Sequence, residues 1–161
     1  MRAVIGIGAN LGDRLATMRA AVVEIGRIPG TSVVAASSVY ETAPVGGVPQ
    51  ADFFNASILV ECTLSPLALL EALLGIERGL GRTRAPDDVR WGPRAIDLDV
   101  LWIEGVVLHE ARLVVPHPRL IERGFALIPL LEVEPHAVDP RTGAAFVAPP
   151  TGGVRRTSFT L

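Results

Sequence analysis

At 161 residues, 49% of them apolar, and with a formal net charge of −2, the chain can bury a core of its own and reads as one globular domain over residues 1–161. No basic block or acidic tail is present, so neither nucleic acid nor a membrane surface is an expected partner. Cys62 is the single cysteine, which rules out an internal disulfide and fits a reducing compartment. The apolar run behind Met1 is too short for a signal peptide and none is long enough to span a bilayer, so the cytoplasm is expected. All 15 basic side chains are arginine. Without lysine, a Walker-type phosphate loop and Schiff-base chemistry are excluded.

Met1–Gly8 reads as a first strand, apolar at Val4, Ile5 and Ile7 and therefore central in its sheet. Gly6-x-Gly8 lacks the third glycine of a dinucleotide fingerprint, since Leu11 stands there, and a tight turn is expected instead. Asp13 is placed as the N-cap of a helix whose Leu15, Met18, Val22 and Ile25 share one face, with Ile28-Pro29-Gly30 as its stop. Thr31–Tyr40 reads as a second strand, Glu41–Asp52 as a loop rich in proline and glycine, and Phe53–Thr63 as a third strand. Ser65-Pro66 opens a second helix that carries Leu69, Leu70, Leu73 and Ile76 inward and ends near Gly79-Leu80-Gly81. Arg82–Pro93 is a second long loop, and a fourth strand runs from Ile96 to Ile103.

Strand-helix-strand, repeated, predicts an α+β fold: a ferredoxin-like βαββαβ core with an antiparallel sheet, helices on one face and the other free for a ligand. A C-terminal hairpin and helix should follow. Glu104-Gly105 turns into Val106–Leu108, Leu113–Val115 adds a short strand, and a helix spans Leu120–Leu131. From Val138 the tail should be irregular.

The fourth strand carries the strongest chemical signal. Ile96, Leu98 and Val100 fall on one face and Asp97 and Asp99 on the other, the two acids about 6.6 Å apart along the chain. Like charges on one strand face repel unless a cation lies between them. Two hard oxygen ligands beside arginine suit a magnesium–nucleotide site; a solvated strand face is the alternative. Arg82, Arg84, Arg90 and Arg94 lie in or beside the second loop and offer forks that match phosphate oxygens, against a merely solubilising surface. His117, between two prolines, is either a phosphate or ribose contact or a packed structural histidine, whereas His109 and His136 read as surface. Phe53, Phe54 and Phe125 either sandwich a flat heterocycle or pack in the core. Asn10 and Asn55 either read a ring's edge or satisfy turns, and Cys62 reads as inert core.

In order, these pieces form a specific set. Arg90-x-Gly92-Pro93-Arg94-x-x-Asp97-Leu98-Asp99-Val100-Leu101 resembles the signature of the 6-hydroxymethyl-7,8-dihydropterin pyrophosphokinase family. Gly6–Gly12, Ser38–Thr42, Phe54–Ala56, Gly81–Arg84, Val115–Arg119 and Arg123–Phe125 resemble its other motifs, so the likeness covers nearly the whole chain. The resemblance implies transfer of the β,γ-diphosphate of ATP to the pterin hydroxymethyl group, with release of AMP, in folate synthesis. It implies two magnesium ions on Asp97 and Asp99, with Arg82 and Arg94 neutralising the transferred group. Arg84 would help the loop to close, and Trp91 would seal the site.

By the same resemblance, the nucleotide side takes Glu77, Arg84, Trp91, Val100, Arg112, Leu113, His117, Arg119 and Arg123. The pterin side takes Asn10, Thr42, Pro44, Val45, Phe53, Asn55, Trp91, Asp97 and Phe125. Phe53 stands where some members have tyrosine, and Leu74 and Val114 where some have polar side chains. No separate general base is required, although Asp99 is a candidate, and a monomer is expected. Two other readings compete: another magnesium-dependent nucleotidyl or phosphoryl transferase, and a ferredoxin-like domain that binds nucleotide or RNA without chemistry.

Overall fold

Residues 1–44, 49–82 and 93–161 are described by the computed structural model. Their elements run β1 (Arg2–Ala9), α1 (Arg14–Gly26), β2 (Thr31–Ala36), β3 (Ser38–Thr42), β4 (Phe53–Cys62) and α2 (Pro66–Gly79). Then come β5 (Asp97–Ile103), β6 (Leu108–His109), β7 (Val114–Val115), α3 (Gly124–Val133) and β8 (Val154–Thr160). Both expected helix caps form: Asp13 accepts from the Ala16 N–H at 3.0 Å, and Ser65 from the Ala68 N–H at 3.3 Å with Pro66 next in line. Each cap satisfies one of the backbone donors that a helix start leaves unpaired.

The main sheet is ordered β5-β1-β4-β3-β8, with β2 also paired to β4, and its pairings are antiparallel. This is the ferredoxin-like order expected from the sequence, except that β2 and β3 share one strand's place. Ser37 makes the break. Its N–H donates to the Ser57 carbonyl at 2.9 Å, and its hydroxyl accepts from the Ser57 N–H at 2.9 Å.

Period-two alternation then divides the core. Ala3, Ile5, Ile7 and Ala9 of β1 pack with Met18, Ala21 and Ile25 of α1 and Leu69 and Leu73 of α2. Val4, Leu59, Leu101 and Trp102 point the other way, onto Leu127, Leu130 and Val133 of α3. The second face is therefore not free along its length, as the sequence suggested. Gly124–Val133 is apolar nearly all round and has to be covered, so α3 takes one end of that face. A bulge makes the second cluster deeper. Ile5 opposes Val100 and Val4 opposes Trp102, so Leu101 is the extra residue and both it and Trp102 reach α3.

Three further expectations are corrected. Gly6 and Gly8 lie inside β1, not in a turn. The late helix begins at Gly124 and continues through Pro129 to Val133; residues from His117 to Arg123 turn instead, with Leu120 N–H on the His117 carbonyl at 2.9 Å. The tail is irregular only as far as Val154, where β8 pairs with β3. Arg155-Arg156-Thr157 shows charge where a buried strand would show apolar alternation, as expected of an edge. Side chains anchor it: Thr157 donates to the Val39 carbonyl at 2.8 Å, and Arg156 reaches Ser38 and Glu132. Among the described residues no helix is long and apolar enough to cross a membrane.

Candidate active site

Register decides what stands beside the two aspartates. Across β1 and β5, Asp97 pairs with Gly8 and Asp99 with Gly6; across β1 and β4, Gly8 pairs with Asn55. A strip of bare backbone therefore lies between the acidic strand and Asn55. A Cβ on Gly8 would stand 3.4 Å from Asn55 Oδ1 and 4.0 Å from Asp97 Cβ, and one on Gly6 would meet Leu101 Cδ1 at 3.0 Å. The glycines floor a cavity of about 740 Å³, within the size range of small-molecule sites. Sequence reasoning missed this role. The available signal was alternation, isoleucine on one face and glycine on the other, which marks close approach to a strand. Gly8→Ala is expected to leave the melting temperature within a few degrees, because its contacts are ordinary, while kcat/KM falls about tenfold or more from lost alignment. Steady-state assay beside thermal unfolding checks this.

Charge is concentrated at the wall. Asp97 Oδ1 accepts from Arg82, and Oδ2 accepts from Arg94 Nη1 at 2.5 Å. Arg82 also donates to Glu77, which is 2% exposed and accepts the Leu98 N–H at 2.7 Å. Glu77 on α2 thus holds both Arg82 and the backbone of β5. Burial alone would lower the Arg82 pKa, but Asp97 and Glu77 together more than offset it and raise it. Asp99 is pushed up to about 7, first by burial and then by the neighbouring charges of Asp97 and Glu77, which Arg123 and Arg94 only partly relieve. Around Asp99 itself, burial and the two neighbouring acids outweigh what Arg123 and Arg94 supply.

The far wall is basic. His117 is held below its ordinary pKa by burial and then by Arg123 and Arg119. Its Nδ1 accepts the Arg119 N–H at 3.2 Å, so the neutral ring carries its proton on Nε2. Arg123 is likewise lowered, by burial first and Arg119 second. Arg112 lines the cavity and is paired with Glu71 of α2.

Of the residues expected at the site, Glu77, Arg82, Arg94, Asp97, Asp99, Arg112, His117, Arg119 and Arg123 meet around the cavity with Thr42, Phe53, Asn55 and Phe125. Asn55 donates to the Thr42 hydroxyl at 2.8 Å, which leaves its Oδ1 toward Gly8. Val100 and Leu113 do not join the lining: their side chains are packed in the core shared with α1 and α2. Pro44 stands at the end of the described chain beyond β3, outside the lining. Asn10 is buried, and its amide is taken up by protein groups. Phe54 belongs to the core, with Arg14 stacked 3.6 Å from its ring centre. Val45, Arg84, Arg90 and Trp91 lie outside the described residues. Leu70, Leu74 and Leu101 add apolar lining that sequence reasoning did not assign to the site.

Asp97 and Asp99 offer two hard carboxylates on one strand face, and burial together with the Asp97 charge disfavours a second unscreened carboxylate at Asp99. Among the described residues no group of three His, Cys, Asp or Glu could hold a metal ion unaided. Such a pair fits a dication that takes its remaining oxygens from a phosphate chain and water, as magnesium does.

Comparison with known proteins gives the family. The family model described as 7,8-dihydro-6-hydroxymethylpterin-pyrophosphokinase matches residues 4–135. A 2-amino-4-hydroxy-6-hydroxymethyldihydropteridine pyrophosphokinase of Methylorubrum extorquens is 45% identical over 137 residues, covering 85% of each chain. The protein of the same name in Bacillus subtilis is 44% identical over 131 residues, 81% of this chain and 77% of its own. Among solved structures, the Plasmodium falciparum HPPK-DHPS protein superposes with a TM-score of 0.67 at 14% identity; 90% of this chain matches 41% of that longer one, a likeness of fold. The chain belongs to the 7,8-dihydro-6-hydroxymethylpterin-pyrophosphokinase family.

Proposed function

We propose that this chain carries out its family's reaction, moving the β,γ-diphosphate of ATP to the hydroxymethyl group of 6-hydroxymethyl-7,8-dihydropterin, with the site residues divided as follows. Phe53 and Phe125 stack on the pterin, while Asn55 and Thr42 read its polar edge. His117, Arg112, Arg119 and Arg123 hold the nucleotide, and Leu70 and Leu74 give it an apolar wall. Arg82 and Arg94 neutralise the diphosphate as it moves. Two magnesium ions on Asp97 and Asp99, when bound, screen the phosphate chain and acidify the attacking hydroxyl. The hydroxymethyl oxygen gives up its proton to solvent and bonds to the β-phosphorus, and the β-phosphorus loses its bond to the oxygen bridging to the α-phosphorus. AMP departs with that oxygen. The protein contributes alignment and charge, as in phosphoryl transfer generally.

What supports this reading most is the convergence of Asp97, Asp99, Arg82 and Arg94 beside a glycine floor, with Phe53 and Phe125 lining the same cavity. The same reading takes the enzyme as a cytoplasmic monomer. Incubation with ATP, magnesium and the hydroxymethyl pterin should yield AMP and the pterin diphosphate in equal amounts. ADP as the nucleotide product, by mass spectrometry, would overturn the assignment.

A further inference from the structure

We infer that Asn10 is a positioning residue that ties the phosphate side of the cavity to the pterin side, and that it does not itself contact the pterin. The inference rests on the proposed function for its assay. Asn10 follows β1 and is 3% exposed. Its Oδ1 accepts the Arg94 N–H at 2.7 Å, and its own N–H donates to the Arg94 carbonyl at 3.0 Å. Arg94 is therefore clamped at both backbone groups, three residues before the Asp97 carboxylate that its guanidinium meets at 2.5 Å. The Asn10 Nδ2 points to another segment, donating to Gln50 Oε1 at 2.8 Å and to the Ala51 carbonyl at 3.2 Å. Those residues lie three and two positions before Phe53. One buried amide thus uses its acceptor on the arginine that meets the diphosphate and its donors on the segment leading to the pterin stack. Arg14 steadies the same segment, donating to the Asp52 carbonyl at 2.7 Å. A buried amide with every group spoken for is costly to alter, and misplacing a charged group by about 1 Å can cost about a hundredfold in rate.

The two halves of the amide can be separated. Asn10→Asp keeps an acceptor for Arg94 N–H but cannot donate to Gln50 or Ala51; Asn10→Ala loses both. Wild-type AMP formation is measured first, and its absence would count against the proposed function, not against this role. With wild type active, Asn10→Ala should lower kcat about thirtyfold or more while the Kd for ATP with magnesium changes less than threefold. Asn10→Asp should raise the pterin KM about tenfold and retain most of kcat. Gln50→Ala should reproduce part of the pterin effect and be less than additive with Asn10→Asp. Equal loss of kcat in both Asn10 variants would overturn the inference. So would an Asn10→Ala enzyme that merely melts lower with unchanged kcat and KM.

Discussion

Asp97→Asn should lower kcat by roughly a thousandfold or more without unfolding the protein. The side chain lies on the cavity face of β5, and its two oxygens divide Arg82 and Arg94 between them. Asparagine keeps one acceptor, turns an amino group toward the other arginine and removes a charge from the proposed magnesium pair. Losing several kcal/mol of charge stabilisation in the transition state corresponds to that rate factor. Folding should not suffer, because Arg82 keeps Glu77 and one of the two charges repelling Asp99 is gone. The pH dependence gives an independent readout. In the metal-free protein Asp99 rises from 3.8 to about 7, through burial first and Asp97 second. A raised acid favours the fold in its protonated form, so its contribution is complete below its unfolded pKa and is lost as pH climbs through the folded value near 7. Metal-free wild type should lose stability across that interval, and Asp97→Asn should lose less. Magnesium requires the carboxylate, so its affinity should strengthen up to about pH 7 and its binding should release a proton. Near wild-type turnover in Asp97→Asn, or magnesium affinity indifferent to pH, would rule out the metal role.

The elements that carry these residues were legible because their signals are local. Asp13 and Ser65 begin their helices as capping chemistry requires, and the alternation from Ile96 to Val100 put the aspartates on the correct face. Residue chemistry named Arg82, Arg94, Asp97, Asp99 and His117 on the cavity wall, and family likeness added Glu77, Thr42, Arg112, Arg119 and Arg123. What stayed hidden depends on pairing between distant segments. Nothing near Gly6 says that Asp99 will stand across from it, so glycines that floor a site looked like a turn. Arg155 and Arg156 mark an edge strand only once Glu41, Ser38 and Glu132 are beside them. Family likeness placed Val100 and Leu113 near the nucleotide; their side chains pack in the core with α1 and α2. Glu77 is the sharpest case. Family likeness put it only near the nucleotide, while the fold buries it under Arg82 and the Leu98 N–H.

That burial makes Arg82→Ala a test of two linked effects. The guanidinium bridges Glu77 and Asp97 with 12% of its side chain exposed, and the Glu77 side chain is 3% exposed. Removing it should slow the chemical step by roughly a hundredfold to a thousandfold, as expected for a preorganised group facing developing charge. Pterin affinity should move far less, because the proposed pterin stack uses Phe53 and Phe125 instead. Unlike an exposed loop arginine, however, this one should also cost about 3 kcal/mol of stability, since a buried carboxylate loses its counter-charge. A second substitution separates the two. Glu77→Gln keeps an acceptor for the Leu98 N–H and removes the stranded charge, so the double variant Glu77→Gln with Arg82→Ala should regain most of the lost stability. Its rate should stay low, because nothing replaces the guanidinium beside Asp97. Single-turnover kinetics with chemical denaturation of all three variants would show it. Recovery of rate along with stability would mean that Arg82 serves only the fold, and equal losses of pterin affinity and rate would mean that it serves binding.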